Sequence, residues 1–174
     1  VQTCALPIFT SPKFIVLGNG VMDLENKKLE DFSPRFVIKN KIDVSYNENA
    51  YSPIVDKTLN KICCQDKNLR LLIEEMMGYC LLRRNELGKA FILTGGGSNG
   101  KSTLLDLLES MLGENNISAV ELKELSDRFK TYQLEGKLAN IGEDISKEFI
   151  ENNSTFKKLV TEIGRASCRE RVYG

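Results

Sequence analysis

The chain has 174 residues, 41% hydrophobic and 28% charged, with 24 basic and 24 acidic side chains and no histidine. That balance suits one medium globular domain or a domain with an appendage, and zero net charge means that any nucleic-acid contact must come from a local patch. The lack of histidine excludes His-ligated metals and Ser–His or Cys–His catalysis, and with no apolar run near ~18 residues and no signal-peptide pattern, a membrane span is not expected and the expected compartment is the cytoplasm.

The two ends read as foreign. Residues 1–8, Val-Gln-Thr-Cys-Ala-Leu-Pro-Ile, back-translate into a frame resembling a sequencing-library adapter, and Ile163–Val172 into one resembling the opposite adapter. Residues 1–8 and 162–174 are therefore expected to be non-native, with Glu162 at the junction and the natural segment running from about Phe9 to Thr161 as part of a longer protein. Cys4 and Cys168 fall in those ends. Cys63, Cys64 and Cys80 remain, an odd and clustered set that reads as apolar filler or free thiols and lacks the spacing of a zinc site.

Residues 9–50 read as a small β-rich region. Phe14–Leu17 is an apolar run, Gly18-Asn19-Gly20 a turn, Val21–Leu24 a second run, and Asn26–Lys28 a second turn; Phe32-Ser33-Pro34 breaks the chain before Arg35–Ile38. Tyr46–Pro53 is polar and irregular, a linker. Residues 51–88 read as helical: Ile73, Met76, Met77, Cys80 and Leu81 share one helix face, and Gly88 suits a C-terminal cap. Residues 89–161 form the expected core. Lys89–Thr94 has the pattern of a buried strand, Ser102–Leu112 is an apolar-periodic helix stopped by Gly113, Ile117–Val120 and Leu138–Ile141 are further strands, and Ser146 to about Lys158 is helical.

Between the first core strand and its helix lies Gly95-Gly96-Gly97-Ser98-Asn99-Gly100-Lys101-Ser102-Thr103, which fits the phosphate-binding pattern G-x-x-x-x-G-K-[ST] in the required strand–loop–helix context. Glycines let such a loop turn tightly and aim successive N–H groups inward, and the positive end of the following helix adds to the attraction for anions. Lys101 is expected to reach the β- and γ-phosphates of ATP, Ser102 to hold Mg²⁺, and Thr103 to close the cradle near the α-phosphate. Glu143 and Asp144 follow the strand Leu138–Ile141. Together with the loop they read as a Walker-B-type pair, one acid binding Mg²⁺ and the other orienting the attacking water; taken alone, they also suit a solvated helix start. The expected fold class is α/β, a P-loop NTPase core with a partly parallel sheet, incomplete at its C-terminal end and preceded by the hairpin-rich and helical region.

The asparagine immediately before Gly100-Lys101-Ser102 resembles the loop of poxvirus-type primase–helicases of phages and plasmids, in helicase superfamily 3 of the AAA+ class. Gly18–Leu24, Phe32-Ser33-Pro34, Gly78–Leu81, Leu134–Asp144 and Phe156–Thr161 resemble further elements of that family in the same order. The resemblance implies ATP-driven unwinding of DNA by a hexameric ring in the cytoplasm of a bacterial host, with ATP sites between subunits. It also implies a DNA-contacting loop after Lys157 and Lys158, residues that suit phosphate contact or, equally, a solvated helix face. The family's sensor asparagine and arginine finger would lie beyond Thr161, so the segment alone is expected to bind ATP weakly if at all, and neither to hydrolyse it efficiently nor to unwind DNA.

Two other readings share the loop. A small-molecule kinase could use Gly113–Leu134 as a lid, although only Arg128 falls there, without the arginine cluster that clamps two phosphorylated substrates. A non-enzymatic P-loop module would bind nucleotide to drive assembly or DNA loading.

Overall fold

The computed structural model describes residues 10–85, 87–142, 157 and 160. The terminal segments read as adapter-like fall outside those residues. The fold is mixed α/β with small sheets.

The N-terminal region is a three-stranded antiparallel meander of β1 (Phe14–Leu17), β2 (Gly20–Asp23) and β3 (Lys28–Glu30). Leu17 pairs with Gly20, leaving Gly18 and Asn19 as a two-residue hairpin loop. Asn19 also works at longer range: its Nδ2 donates to Tyr46 O at 2.9 Å and its Oδ1 accepts from Tyr46 N at 2.8 Å. That brings 41–46 alongside β1, where Ile42 N donates to Val16 O and Gly18 N to Val44 O, each at 2.9 Å. At the β2–β3 turn, buried Asp23 accepts from the backbone of Glu25 and Asn26 and from Asn26 Nδ2. Burial pushes the Asp23 carboxyl up, but these donors and the Lys13 ammonium at 3.3 Å outweigh it and hold the pKa below the ordinary carboxylate value.

Two capped helices follow. In α1 (Pro53–Ile62), Ser52 Oγ accepts from Val55 N and Pro53 occupies the first turn, where a missing N–H costs nothing. In α2 (Lys67–Tyr79), Asp66 Oδ1 accepts from Asn68 N and Leu69 N. Arg70 ties the two helices together by donating to Glu74, Asp56 and Asn60. The helical periodicity runs on through Cys80 and Leu81, yet α2 stops at Tyr79. Residues 81 and 82 donate instead to Gly78 O and Tyr79 O in tight turns. Tertiary anchors take the chain away from the helix axis. The half-buried Arg83 guanidinium donates to the carbonyls of Phe14, Thr10 and Ser11, and the Tyr79 hydroxyl bonds Asn85. Burial pushes the Arg83 pKa down. Gly88 is therefore not the α2 cap: at φ +57 it closes a turn on Asn85 O.

The expected strand over residues 89–94 does not form; the segment is irregular, without ladder partners among the described residues. Leu93 packs inward, Phe91 meets Tyr79 edge-on with ring centroids 6.3 Å apart, and Ile92 faces outward at 62% exposure. Apolar residues can favour an extended backbone, but a strand also needs a partner backbone, which local sequence cannot supply.

The long helix α3 (Lys101–Leu112) is the centre of the molecule. Its inner stripe Leu104, Leu108 and Leu112 is spaced every four residues and joins two cores. Leu108 and Leu112 pack with Ile15, Met22 and Ile42 of the meander region. Leu104 packs with Leu59 and Cys63 at the end of α1 and with Ile73 and Met76 of α2. After α3, β4 (Ile117–Ser118) and β5 (Ala139–Asn140) pair in parallel, Ile117 with Ala139 and Ser118 with Asn140. The crossover between them carries a four-residue helix, α4 (Arg128–Thr131), flanked by 3₁₀ turns. The expected strands at 117–120 and 138–141 are thus present in shorter form, as a two-stranded parallel pair that the segment 89–94 does not join.

Candidate functional site

The glycine-rich loop 95–100 and the first residues of α3 make the site. Three residues in it have positive φ: Gly97 at 32°, Ser98 at 49° and Gly100 at 84°. Left-handed residues make the tight turns from which anion-binding concavities of backbone N–H groups are built. Gly100 is needed twice over, because its φ is left-handed and an added Cβ would lie 2.7 Å from Ile62 Cγ1 of α1. That contact seats the loop on α1. By contrast, a Cβ on Gly96 or Gly97 would meet nothing within 4 Å, so the face over these glycines is open.

Unlike α1 and α2, α3 has no side-chain cap at its N-terminus. Its first N–H groups are left with their partial positive charge for an anion. Lys101, the first residue of α3, turns its ammonium back over the loop, where Nζ donates to Gly95 O at 3.1 Å and to Asn99 Oδ1 at 2.9 Å. Ser102 and Thr103 are exposed on the first turn. Buried Leu104 follows them, so the inner stripe of α3 fixes which face of the helix the loop meets. The residues expected to hold a phosphate chain, 95–103, are therefore brought together. They suit one chemically: uncapped helix N–H groups, an open glycine face, one cation and two hydroxyls.

The acid pair is less defined. Glu143 and Asp144 lie outside the described residues, as does Lys158; Lys157 is exposed and helical. The approach to the acids is nevertheless built. Asn140 extends the short parallel ladder with its side chain: Oδ1 accepts from Val120 N at 2.8 Å and from Ser118 Oγ at 2.9 Å, while Nδ2 donates to Val120 O at 2.9 Å. One carboxamide thus replaces a rung of backbone pairing and fixes the end of β5 just ahead of Ile141-Gly142. Sequence reading took Asn140 as part of an apolar strand; an asparagine inside such a run was the available signal.

No other chemistry gathers among the described residues. No group of three Cys, Asp or Glu side chains is placed to hold a metal ion among them. Cys63 is buried and Cys80 half-buried, burial raises both thiol pKa values, and Cys64 is the exposed one among the described cysteines. Burial therefore disfavours the reactive thiolate at Cys63 and Cys80. No described helix is long and apolar enough to cross a membrane.

Two family matches divide the chain near these elements. Residues 7–64 match the family described as D5 N terminal like, and residues 93–170 match a family of unknown function, DUF5906. A protein of Acanthamoeba polyphaga mimivirus named a putative helicase is 34% identical over 99 residues, which cover 55% of this chain and 10% of that relative. A protein of African swine fever virus named a putative primase is 25% identical over 175 aligned residues, covering 92% of this chain and 18% of that relative. The chain therefore spans less than one-fifth of the length of these curated relatives. The chain is thus similar at its N-terminal end to a D5-type family and along its length to viral proteins named as putative helicase and primase.

Proposed function

We propose that residues 95–103 are the ATP-binding P-loop of a replicative DNA helicase of superfamily 3, within the AAA+ class. The observation that carries this reading is Lys101 at the uncapped start of α3, folded over a loop with left-handed residues at 97, 98 and 100. In this reading the loop N–H groups hold the β- and γ-phosphates, Lys101 neutralises them, and Ser102 holds Mg²⁺, which would supply charge neutralisation on the phosphates when bound. Thr103 closes the cradle. Glu143 and Asp144, which follow the end of β5, complete the magnesium shell and orient the attacking water. Lys157 and Lys158 contact DNA phosphate, and the whole protein works as a hexameric ring in phage or plasmid replication.

The test is binding of a non-hydrolysable ATP analogue with Mg²⁺ by titration calorimetry on the 174-residue chain. Saturable binding is expected, and Lys101→Ala should weaken it by at least about tenfold, since the lost contact is a charge-assisted one. Equal affinity in both proteins would overturn the assignment. In a longer chain carrying this segment, Glu143→Gln with Asp144→Asn should stop turnover while nucleotide still binds. Unchanged turnover would favour a P-loop module, and phosphoryl transfer to a nucleoside or nucleotide would favour a small-molecule kinase.

A further inference from the structure

The loop carries its own occupant. Asn99 reaches back across the loop to its first residue, and an added Cβ on Gly95 would overlap Asn99 Nδ2 and sit 3.0 Å from Asn99 Cγ. The other end of the same carboxamide, Oδ1, accepts from Lys101 Nζ at 2.9 Å, and Gly95 O accepts from the same ammonium at 3.1 Å. Gly95, Asn99 and Lys101 therefore form a closed clasp over the loop. An ammonium has three N–H donors, and two point at oxygens belonging to the loop itself. A carboxamide oxygen presents to an ammonium much what a phosphate oxygen presents, namely a partly negative acceptor at hydrogen-bond distance, but without a full charge.

We propose that Asn99 is a self-ligand of the loop: its carboxamide holds Lys101 over the cradle, and a polyphosphate enters by displacing that oxygen from the ammonium. This rests on the reading of 95–103 as a phosphate site and adds how the site is regulated. The clasp sets the nucleotide concentration at which the site fills, because binding must first break the Asn99–Lys101 contact. It also gives Gly95 a role separate from turn-making. Gly95 does not have positive φ; the space above it is kept for the Asn99 amide.

The experiment compares wild type, Asn99→Ala, Gly95→Ala and the double variant for binding of inorganic tripolyphosphate and of a non-hydrolysable ATP analogue. Asn99→Ala is expected to bind tripolyphosphate roughly three- to tenfold more tightly, the range set by one net hydrogen bond. Gly95→Ala should produce a similar gain by expelling the amide, and should add nothing in the Asn99→Ala background, where there is no amide to expel. A second readout needs no nucleotide: acetylation of Lys101 by a water-soluble active ester, followed by mass spectrometry, should be several-fold faster in Asn99→Ala. Unchanged or weaker tripolyphosphate binding in Asn99→Ala, unchanged acetylation, or additive effects of the two substitutions would each overturn the clasp. Wild type that binds nucleotide through Lys101 while Asn99→Ala behaves in any of those ways leaves the P-loop assignment standing. Wild type that binds neither ligand overturns that assignment, while the acetylation comparison still decides whether the clasp exists.

Discussion

Asn116 shows how much of this molecule hangs on single amides. It is buried, Nδ2 donates to Leu112 O and Lys41 O at 2.8 Å each, and Oδ1 accepts from Asn40 Nδ2 at 3.1 Å. Asn40 in turn donates to Gly136 O at 2.6 Å. One side chain thus caps the end of α3 and joins it to the segment after the meander, while its neighbour reaches the turn before β5. A buried polar group left without its partner costs more than the bond itself contributed. Asn116→Leu keeps the branched heavy-atom framework and removes every side-chain hydrogen bond, orphaning the Leu112 and Lys41 carbonyls. It should cost roughly 1–3 kcal/mol, read as a lower urea midpoint at unchanged slope. A midpoint equal to wild type would show that water satisfies these groups. None of this was legible from sequence, because Asn40 and Asn116 lie 76 residues apart and nothing local marks either as a partner of the other.

At the scale of elements, α3 was the most legible part of the chain. Its leucine spacing and its stop at Gly113 follow from contacts within one or two turns, and the observed helix agrees, beginning at Lys101, one residue before the expected Ser102. The function of Gly100 as a hinge between loop and helix is sharper than the motif suggested, because Ile62 leaves no room for a side chain there. Gly100→Ala combines left-handed strain with that contact and should lose about 1–2 kcal/mol or more in thermal or chemical denaturation, the strain alone being of that order. Wild-type stability in this variant would mean that the loop can reseat away from α1. The end of α2 was misread for the converse reason. Local periodicity continues past Tyr79, but Arg83 binds three carbonyls of the N-terminal region and takes those residues out of the helix.

For the whole molecule, the meander and the helices share one core through α3, so the phosphate-site helix rests on the N-terminal region as much as on α1 and α2. The segment 89–94 joins that core only through Leu93; it is without ladder partners among the described residues, and Phe91 and Ile92 are apolar and exposed. Opening free energy varies across a structure with contact density and hydrogen bonding. Amides of residues 91–94 should therefore exchange with solvent at least about tenfold faster than those of 104–112, measured by hydrogen exchange with mass spectrometry. Equal protection would reveal a partner for that segment.

The turn at Gly18-Asn19-Gly20 with its flanking apolar runs, the helix stopped by Gly113, and the glycine-rich loop ahead of that helix were all legible in the sequence. Each of these rests on turn chemistry, side-chain period or a hydrogen bond spanning a few residues. Tertiary structure alone decided where α2 ends, that 89–94 is not a strand, that Asn140 stands in for a rung beside Val120, and that Asn40 and Asn116 meet. It also decided that Asn99 lies over Gly95 and holds Lys101. Most of these depend on which backbone or side chain arrives from 20 or more residues away, as with Asn140 and Val120 or Asn40 and Asn116. Asn99 is the exception: its partners are close in sequence, but the path of the loop between them depends on the left-handed turns at 97, 98 and 100, the last of them seated against Ile62.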